Sequence, residues 1–133
     1  MITGKCECGS IQYEVNAEIT DFSHCHCSQC RRLHGAAFAT FAGVNRDSFR
    51  YVSGESTLKT YASSEQNDRV FCGICGSNIL VDCKPEPQVL YLAMGTVNGE
   101  PERPPGYHQF IGSKASWFEI NDKLLKHDSG ADE

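Results

Sequence analysis

The sequence predicts a mainly β domain of short antiparallel strands with very little helix, drawn together by metal ions rather than by disulfides. Three observations carry that expectation. Apolar-polar alternations such as Ile11-Gln12-Tyr13-Glu14-Val15 recur between Gly, Pro, Asn and Asp breaks, with the period of a half-buried strand. Helical patterning is nearly absent: only the short turn through Cys30-Arg31-Arg32-Leu33-His34, with Ser28 as N-cap and Gly35 as stop, carries a start and a stop signal. Eight cysteines fall mostly in Cys-x-Cys and Cys-x-x-Cys pairs far apart along the chain, the local spacing with which sulfurs converge on one tetrahedral ion.

The choice of metal over disulfides follows from compartment. The N-terminal stretch Met1-Ile2-Thr3-Gly4-Lys5-Cys6-Glu7-Cys8 has no apolar run and does not read as a secretory signal. Nor does any stretch approach the roughly 18 consecutive apolar residues of a membrane helix. A cytoplasmic protein is expected, and there thiols stay reduced and paired cysteines bind metal. At 133 residues the chain fits one domain, expected over residues 1–125 with a polar, frayed tail at 126–133. Twelve Lys+Arg against 17 Asp+Glu give a net charge of -5 without a basic tract, which excludes nucleic-acid phosphate as an expected partner.

In chain order, residues 3–15 read as a hairpin carrying Cys6 and Cys8 at its turn, with Gly9 placed for a positive φ. Asp21-Phe22-Ser23-His24 leads as a strand into Cys25-His26-Cys27-Ser28-Gln29-Cys30, followed by a helical turn with Ser28 as N-cap and Gly35 as stop. Residues 36–43 are small and read as a closely packed strand, with Phe38 directed to the core or a pocket. Residues 49–52 and 58–61 read as antiparallel strands about a Ser53-Gly54 turn, and residues 63–68 as a polar loop. Arg69-Val70-Phe71 runs into Cys72-Gly73-Ile74-Cys75-Gly76, whose glycines let the chain wrap an ion. Residues 77–83 and 88–94 are two more strands joined by Lys84-Pro85-Glu86-Pro87. After a long Pro- and Gly-rich loop at 98–106, residues 107–111 resume as a strand, and 114–120 bring the single tryptophan.

The simplest partition of the ligands puts Cys6, Cys8, Cys72 and Cys75 on one closed structural ion that clips the first hairpin to the middle of the chain. Cys25, Cys27 and Cys30 are then left for a second ion with an open position, where water or a substrate thiol can bind. Two readings compete with this. The pairs can be redox dithiols, and the second ion can be closed by Cys83, a histidine or a partner chain. Cys83 also reads as a plain buried residue. His26 points away from its flanking ligands by strand alternation, toward solvent or toward a supporting role. His24, His34 and His108 read as satisfied polar residues, with His108 near a loop that can reach the pocket. Arg31 and Arg32, next to the thiols, lower their pKa and attract an anion, or else form a solvated helix face.

Four motifs occurring in order resemble the glutathione-dependent formaldehyde-activating enzyme family, a resemblance that extends to its centromere-protein-V-like members. They are Lys5-Cys6-Glu7-Cys8-Gly9, the run from Cys25 to Arg31, Phe71-Cys72-Gly73-Ile74-Cys75-Gly76, and Gly112-Ser113-Lys114-Ala115-Ser116-Trp117-Phe118. The resemblance covers about residues 3 to 122. It implies a β-tent of antiparallel sheets with two zinc ions, structural on Cys6, Cys8, Cys72 and Cys75, catalytic on Cys25, Cys27 and Cys30. It also implies a carbon-sulfur lyase-type activity, adding glutathione to formaldehyde to give S-hydroxymethylglutathione, or the reverse. The small-molecule partners are then a thiol and a small aldehyde, with Arg31, Arg32 and Lys114 as candidate carboxylate holders. The chain departs from the family's usual Lys-Ala-Pro-Trp at Ser116, and has Ser77 where Thr is common. The alternative expectation is a non-catalytic binding module that uses zinc only for stability.

Overall fold

The computed structural model describes residues 1–130. Most of the alternating stretches become strands, although the strand expected over residues 107–111 ends at Gln109 and the strand after the expected loop at 63–68 already begins at Asn67. The hairpin is β1 (Ile2–Lys5) and β2 (Gln12–Val15), in register Ile2 to Val15, with Cys6 and Cys8 in its connection. β3 (Asp21–Cys25) delivers the first thiol of the cluster, and α1 (Ser28–His34) is the one α-helix among the described residues. β4 (Ala39–Asn45), β5 (Phe49–Ser53), β6 (Leu58–Ala62), β7 (Asn67–Cys72), β8 (Asn78–Cys83) and β9 (Val89–Ala93) follow. β10 (Tyr107–Gln109) and β11 (Leu125–Lys126) complete the set.

The strands form two open sheets, β1-β2-β5 and β11-β10-β3-β4-β9-β8-β7-β6. Ile2, Ile11, Tyr13 and Val15 from the small sheet and its turn share one apolar core with Val44, Ile79 and Leu92 from the large one, and Cys6 and Cys72 are buried in it. A second cluster of Cys25, Cys30, Ala39, Phe41 and Val81 underlies the three thiols.

Four further local expectations are corrected among the strands and the helix. The strands at 49–53 and 58–62 do not pair with each other. β5 joins β2, β6 joins β7, and Gly54 with φ +82° turns the chain from one sheet to the other. The strand expected from residue 36 starts at Ala39, because Gly35 in the left-handed region and the Ala36 N–H, bonded to Arg31 O at 3.2 Å, are spent on ending the helix. The N-cap is Cys27 rather than Ser28: its sulfur accepts from the Cys30 N–H at 3.2 Å. β10 lies parallel to both β3 and β11, whereas the other ladders are antiparallel.

The end of the chain is docked as far as residue 130. The His127 N–H donates to His108 O at 2.9 Å, the Phe110 N–H to Ser129 O at 2.9 Å and the Ile111 N–H to His127 O at 3.1 Å. Polar side chains conceal this docking in the sequence, since main-chain groups along β10 drive it. Residues 131–133 of the expected tail lie outside the described residues. The segment after β10 is irregular, and Trp117 is 71 % exposed on it.

Candidate metal centre

Two tight turns from opposite sheets build the first cluster. Gly9 (φ +79°) and Gly76 (φ +82°) fold back behind Cys8 and Cys75, and the N–H groups of Gly9 and Gly76 bond to the carbonyls of Cys6 and Cys72 at 3.1 and 2.8 Å. The sulfurs of Cys6, Cys8, Cys72 and Cys75 all lie within 4.8 Å of one another. Neighbouring separations are 3.6 Å for Cys6 to Cys8 and 3.8 Å for Cys8 to Cys72. Both are far longer than a disulfide bond of about 2.05 Å. They match the edge of about 3.8 Å that a tetrahedron of sulfurs about 2.3 Å from a zinc ion requires. Main-chain N–H groups already point at these sulfurs, from Ile11 to Cys6 at 3.3 Å and from Ile74 and Cys75 to Cys72 at 3.4 Å each. The Ser77 hydroxyl, followed by the N–H groups of Ser77 and Cys8, pulls the Cys75 thiol down to about 5. The four sulfurs are close enough together to hold one ion.

The second cluster holds three sulfurs. Cys25 ends β3, Cys27 caps α1 and Cys30 lies in its first turn, again within 4.8 Å of one another. Among the described residues no fourth Cys, His, Asp or Glu joins them. Cys83 lines the same cleft but stands outside the group. The Cys27 thiol is pulled far down by the sulfurs of Cys25 and Cys30, with help from the Cys30 N–H and the charge of Arg69, while the sulfurs of Cys27 and Cys30, together with burial, push Cys25 up.

The cluster opens into a cleft of about 670 Å³. Phe41, Val81 and Phe110 supply apolar wall, and Gln29, Gln109 and Arg69 supply polar groups. At other points of the lining the Tyr107 hydroxyl donates to Asp21 at 3.0 Å and the Tyr91 hydroxyl to Glu86 at 2.8 Å. Arg69, on β7 and only 6 % exposed, is the cation of this lining. Its guanidinium donates to Cys30 Sγ from both Nη atoms at 3.5 Å, to Gln29 Oε1 at 3.0 Å and to Ser63 Oγ at 3.1 Å.

The cations expected from sequence are elsewhere. Arg31 and Arg32 do not line the cleft, and Arg32 is on the outer helix face. The Lys114 ammonium donates to the carbonyls of Ala115 and Phe118 and borders a separate surface hollow. Arg69 had one signal in the sequence, a charge three residues before Cys72 on a strand otherwise reading as half-buried. His26 is fully buried, and its Nε2 lies 2.8 Å from His108 Nδ1. His108 is behind the cluster rather than in the cleft. His24 bonds Thr40 Oγ1 at 2.8 Å, and His34 packs edge-on against Phe41.

Two open β sheets that carry one four-sulfur cluster between them and one three-sulfur cluster facing a cleft define a protein with two candidate metal-thiolate centres, the second accessible to a ligand. The chain belongs to the family described as glutathione-dependent formaldehyde-activating enzyme, whose model matches residues 1–113. It is 25 % identical over 130 residues to a Halomonas elongata protein provisionally named as such an enzyme, a match covering 92 % of this chain and 83 % of that one. It is 33 % identical over 76 residues to an uncharacterized lyase of Schizosaccharomyces pombe, covering 57 % of this chain and 53 % of the yeast protein. A Rhodobacter sphaeroides protein of known crystal structure is similar with a TM-score of 0.62 and 25 % identity, over 74 % of this chain and 89 % of that one.

Proposed function

We propose that the chain is a zinc-dependent carbon-sulfur lyase that joins a thiol such as glutathione to a small aldehyde, or runs the reverse cleavage. Cys6, Cys8, Cys72 and Cys75 hold a structural zinc in this reading, and Cys25, Cys27 and Cys30 a catalytic one. The observation that carries it is the three-sulfur cluster, with no fourth donor among the described residues, at the wall of a 670 Å³ cleft. Zinc held there by Cys25, Cys27 and Cys30 would stabilise the anion of a substrate thiol at neutral pH.

The chain's own residues supply the remainder. Arg69 balances the negative charge gathered around Cys30 and holds α1 against β7. Gln29 and Gln109 offer amide hydrogen bonds, while Phe41, Val81 and Phe110 leave a dry wall for a carbonyl compound of one or a few carbons. The lining carries one cation and two carboxylates, Asp21 and Glu86, which suits a zwitterionic thiol bearing both an ammonium and carboxylates. In the addition a carbon-sulfur bond forms, the carbonyl π pair moves to oxygen, and that oxygen takes a proton. In cleavage the same bond breaks and the sulfur leaves as thiolate. Arg31, Arg32 and Lys114 take no part in this version.

The test counts metal and follows exchange. Two zinc ions per chain, one of them lost in Cys27→Ser, and an NMR exchange rate between formaldehyde and glutathione well above the spontaneous rate support the reading. A wild-type chain holding both ions that leaves the spontaneous rate unchanged overturns it in favour of a non-catalytic zinc-stabilised binding module.

A further inference from the structure

A buried hydrogen-bond chain lies behind the three-sulfur cluster, on the side away from the cleft. His108 Nε2 is 2.8 Å from Asp122 Oδ2, and His108 Nδ1 is 2.8 Å from His26 Nε2. Both imidazoles are buried, whereas Asp122 is 44 % exposed. The other carboxylate oxygen is fixed as well, by the Leu124 N–H at 3.1 Å and the Lys126 ammonium at 3.6 Å. Asp122 also lies beyond residues 1–113, the span matched by the family model.

The chemistry of the partners orders this chain. A carboxylate only accepts, so His108 Nε2 carries the hydrogen. In a neutral His108 the Nδ1 lone pair then accepts, His26 donates through Nε2–H, and its own Nδ1, buried without a partner, keeps a lone pair rather than an orphaned N–H. The main chain is held at the same place, since the His26 N–H donates to Gln109 O at 3.0 Å. Successive side chains of an extended segment point to opposite sides. A ring of residue 26 locked behind the loop therefore turns the sulfurs on either side of it toward the cleft.

We propose that Asp122, acting through His108 and His26, is the positioning residue that turns Cys25 and Cys27 toward their metal ion. This rests on the reading that these sulfurs hold an ion, and adds to it which group outside the cleft makes the site. Groups that orient the first ring of ligands typically contribute about 10- to 100-fold in metal affinity.

The experiment uses the full zinc-loaded chain and follows transfer of each ion to a chromophoric chelator, with the four-sulfur ion as internal reference. Asp122→Ala should release the three-sulfur ion about tenfold faster and leave the other ion unchanged. Asp122→Asn, whose amide oxygen still accepts from His108, should stay near wild type, as should the exposed Lys123→Ala. Release of both ions at wild-type rates from a folded Asp122→Ala chain overturns the proposal. A measurement on the wild type needs no variant: nitrogen-proton correlation of the histidine rings in mildly alkaline buffer. A single slowly exchanging Nε2–H on both His26 and His108 supports the proposal, and tautomer averaging, or a proton on His26 Nδ1, overturns it. A wild-type chain that binds one ion only sinks the metal reading, and the ring tautomers then decide the positioning chain independently.

Discussion

Arg69 is a buried cation whose donors go to a sulfur, an amide and a hydroxyl rather than to a carboxylate. Replacing it with methionine keeps the volume but strips every one of those bonds and leaves Cys30 without its neighbouring charge. Arg69→Met should lose about 2–4 kcal/mol in urea unfolding of the metal-loaded protein, and Arg69→Lys should fall between the two, because an ammonium keeps the charge without the planar fork. Unfolding midpoints that coincide for all three would remove Arg69 from the site. The two cysteine clusters were legible in the sequence as candidate metal sites because Cys-x-Cys and Cys-x-x-Cys are local spacings that one turn can satisfy. The cation was not. Arg31 and Arg32 neighbour the thiols in sequence, yet the helix turns them off the cleft, and the charge that reaches Cys30 comes from a strand 39 residues further on.

The elements show the same division between local and distant causes. The hairpin, the Gly35 helix stop and the positive φ at Gly9 follow from short-range chemistry and were readable. The splitting of residues 49–62 between two sheets was not, because pairing partners are chosen by the shared core and not by the turn between neighbours. Gly54 is the element-scale consequence of that split. Its φ is +82°, and a Cβ built on it would fall 2.1 Å from the carbonyl oxygen of Ser10, a main-chain atom that cannot rotate away. At Gly9 the φ is +79° with open space around the same position. Gly9→Ala should therefore cost about 1 kcal/mol, the left-handed penalty alone. Gly54→Ala should cost at least about twice that, since the sheet connection must shift. Equal losses in parallel denaturation curves would mean that the close approach of residues 10 and 54 does not exist in solution.

At the scale of the molecule, the two sheets share one apolar core, and the four-sulfur cluster brings a turn of each together. If an ion occupies that cluster, its removal by a strong chelator should lower stability by several kcal/mol, read as a fall in Tm of roughly 10–20 °C. A much smaller fall would leave the core as the main clamp. Tyr13 reports on that core directly. It is 1 % exposed, packs on Phe49 at 5.2 Å between ring centroids, and shares a 2.7 Å hydrogen bond with Thr96 Oγ1. Burial, opposed by the Thr96 hydroxyl, pushes its phenol from 10.0 up to about 12. The folded chain thus keeps the neutral phenol where the unfolded chain has begun to ionise. The resulting stability is fully present below pH 10 and is lost as pH rises from 10 to about 12, an effect on the order of 3 kcal/mol. Tyr51, raised by burial in the same way, adds to the loss in that window. Tyr13→Phe should lose about 1 kcal/mol at neutral pH with the Thr96 hydrogen bond, yet show a shallower alkaline decline than the wild type. If the two proteins decline in parallel above pH 10, the phenol does not ionise against a closed interior, and the core that the two sheets share is not packed as described.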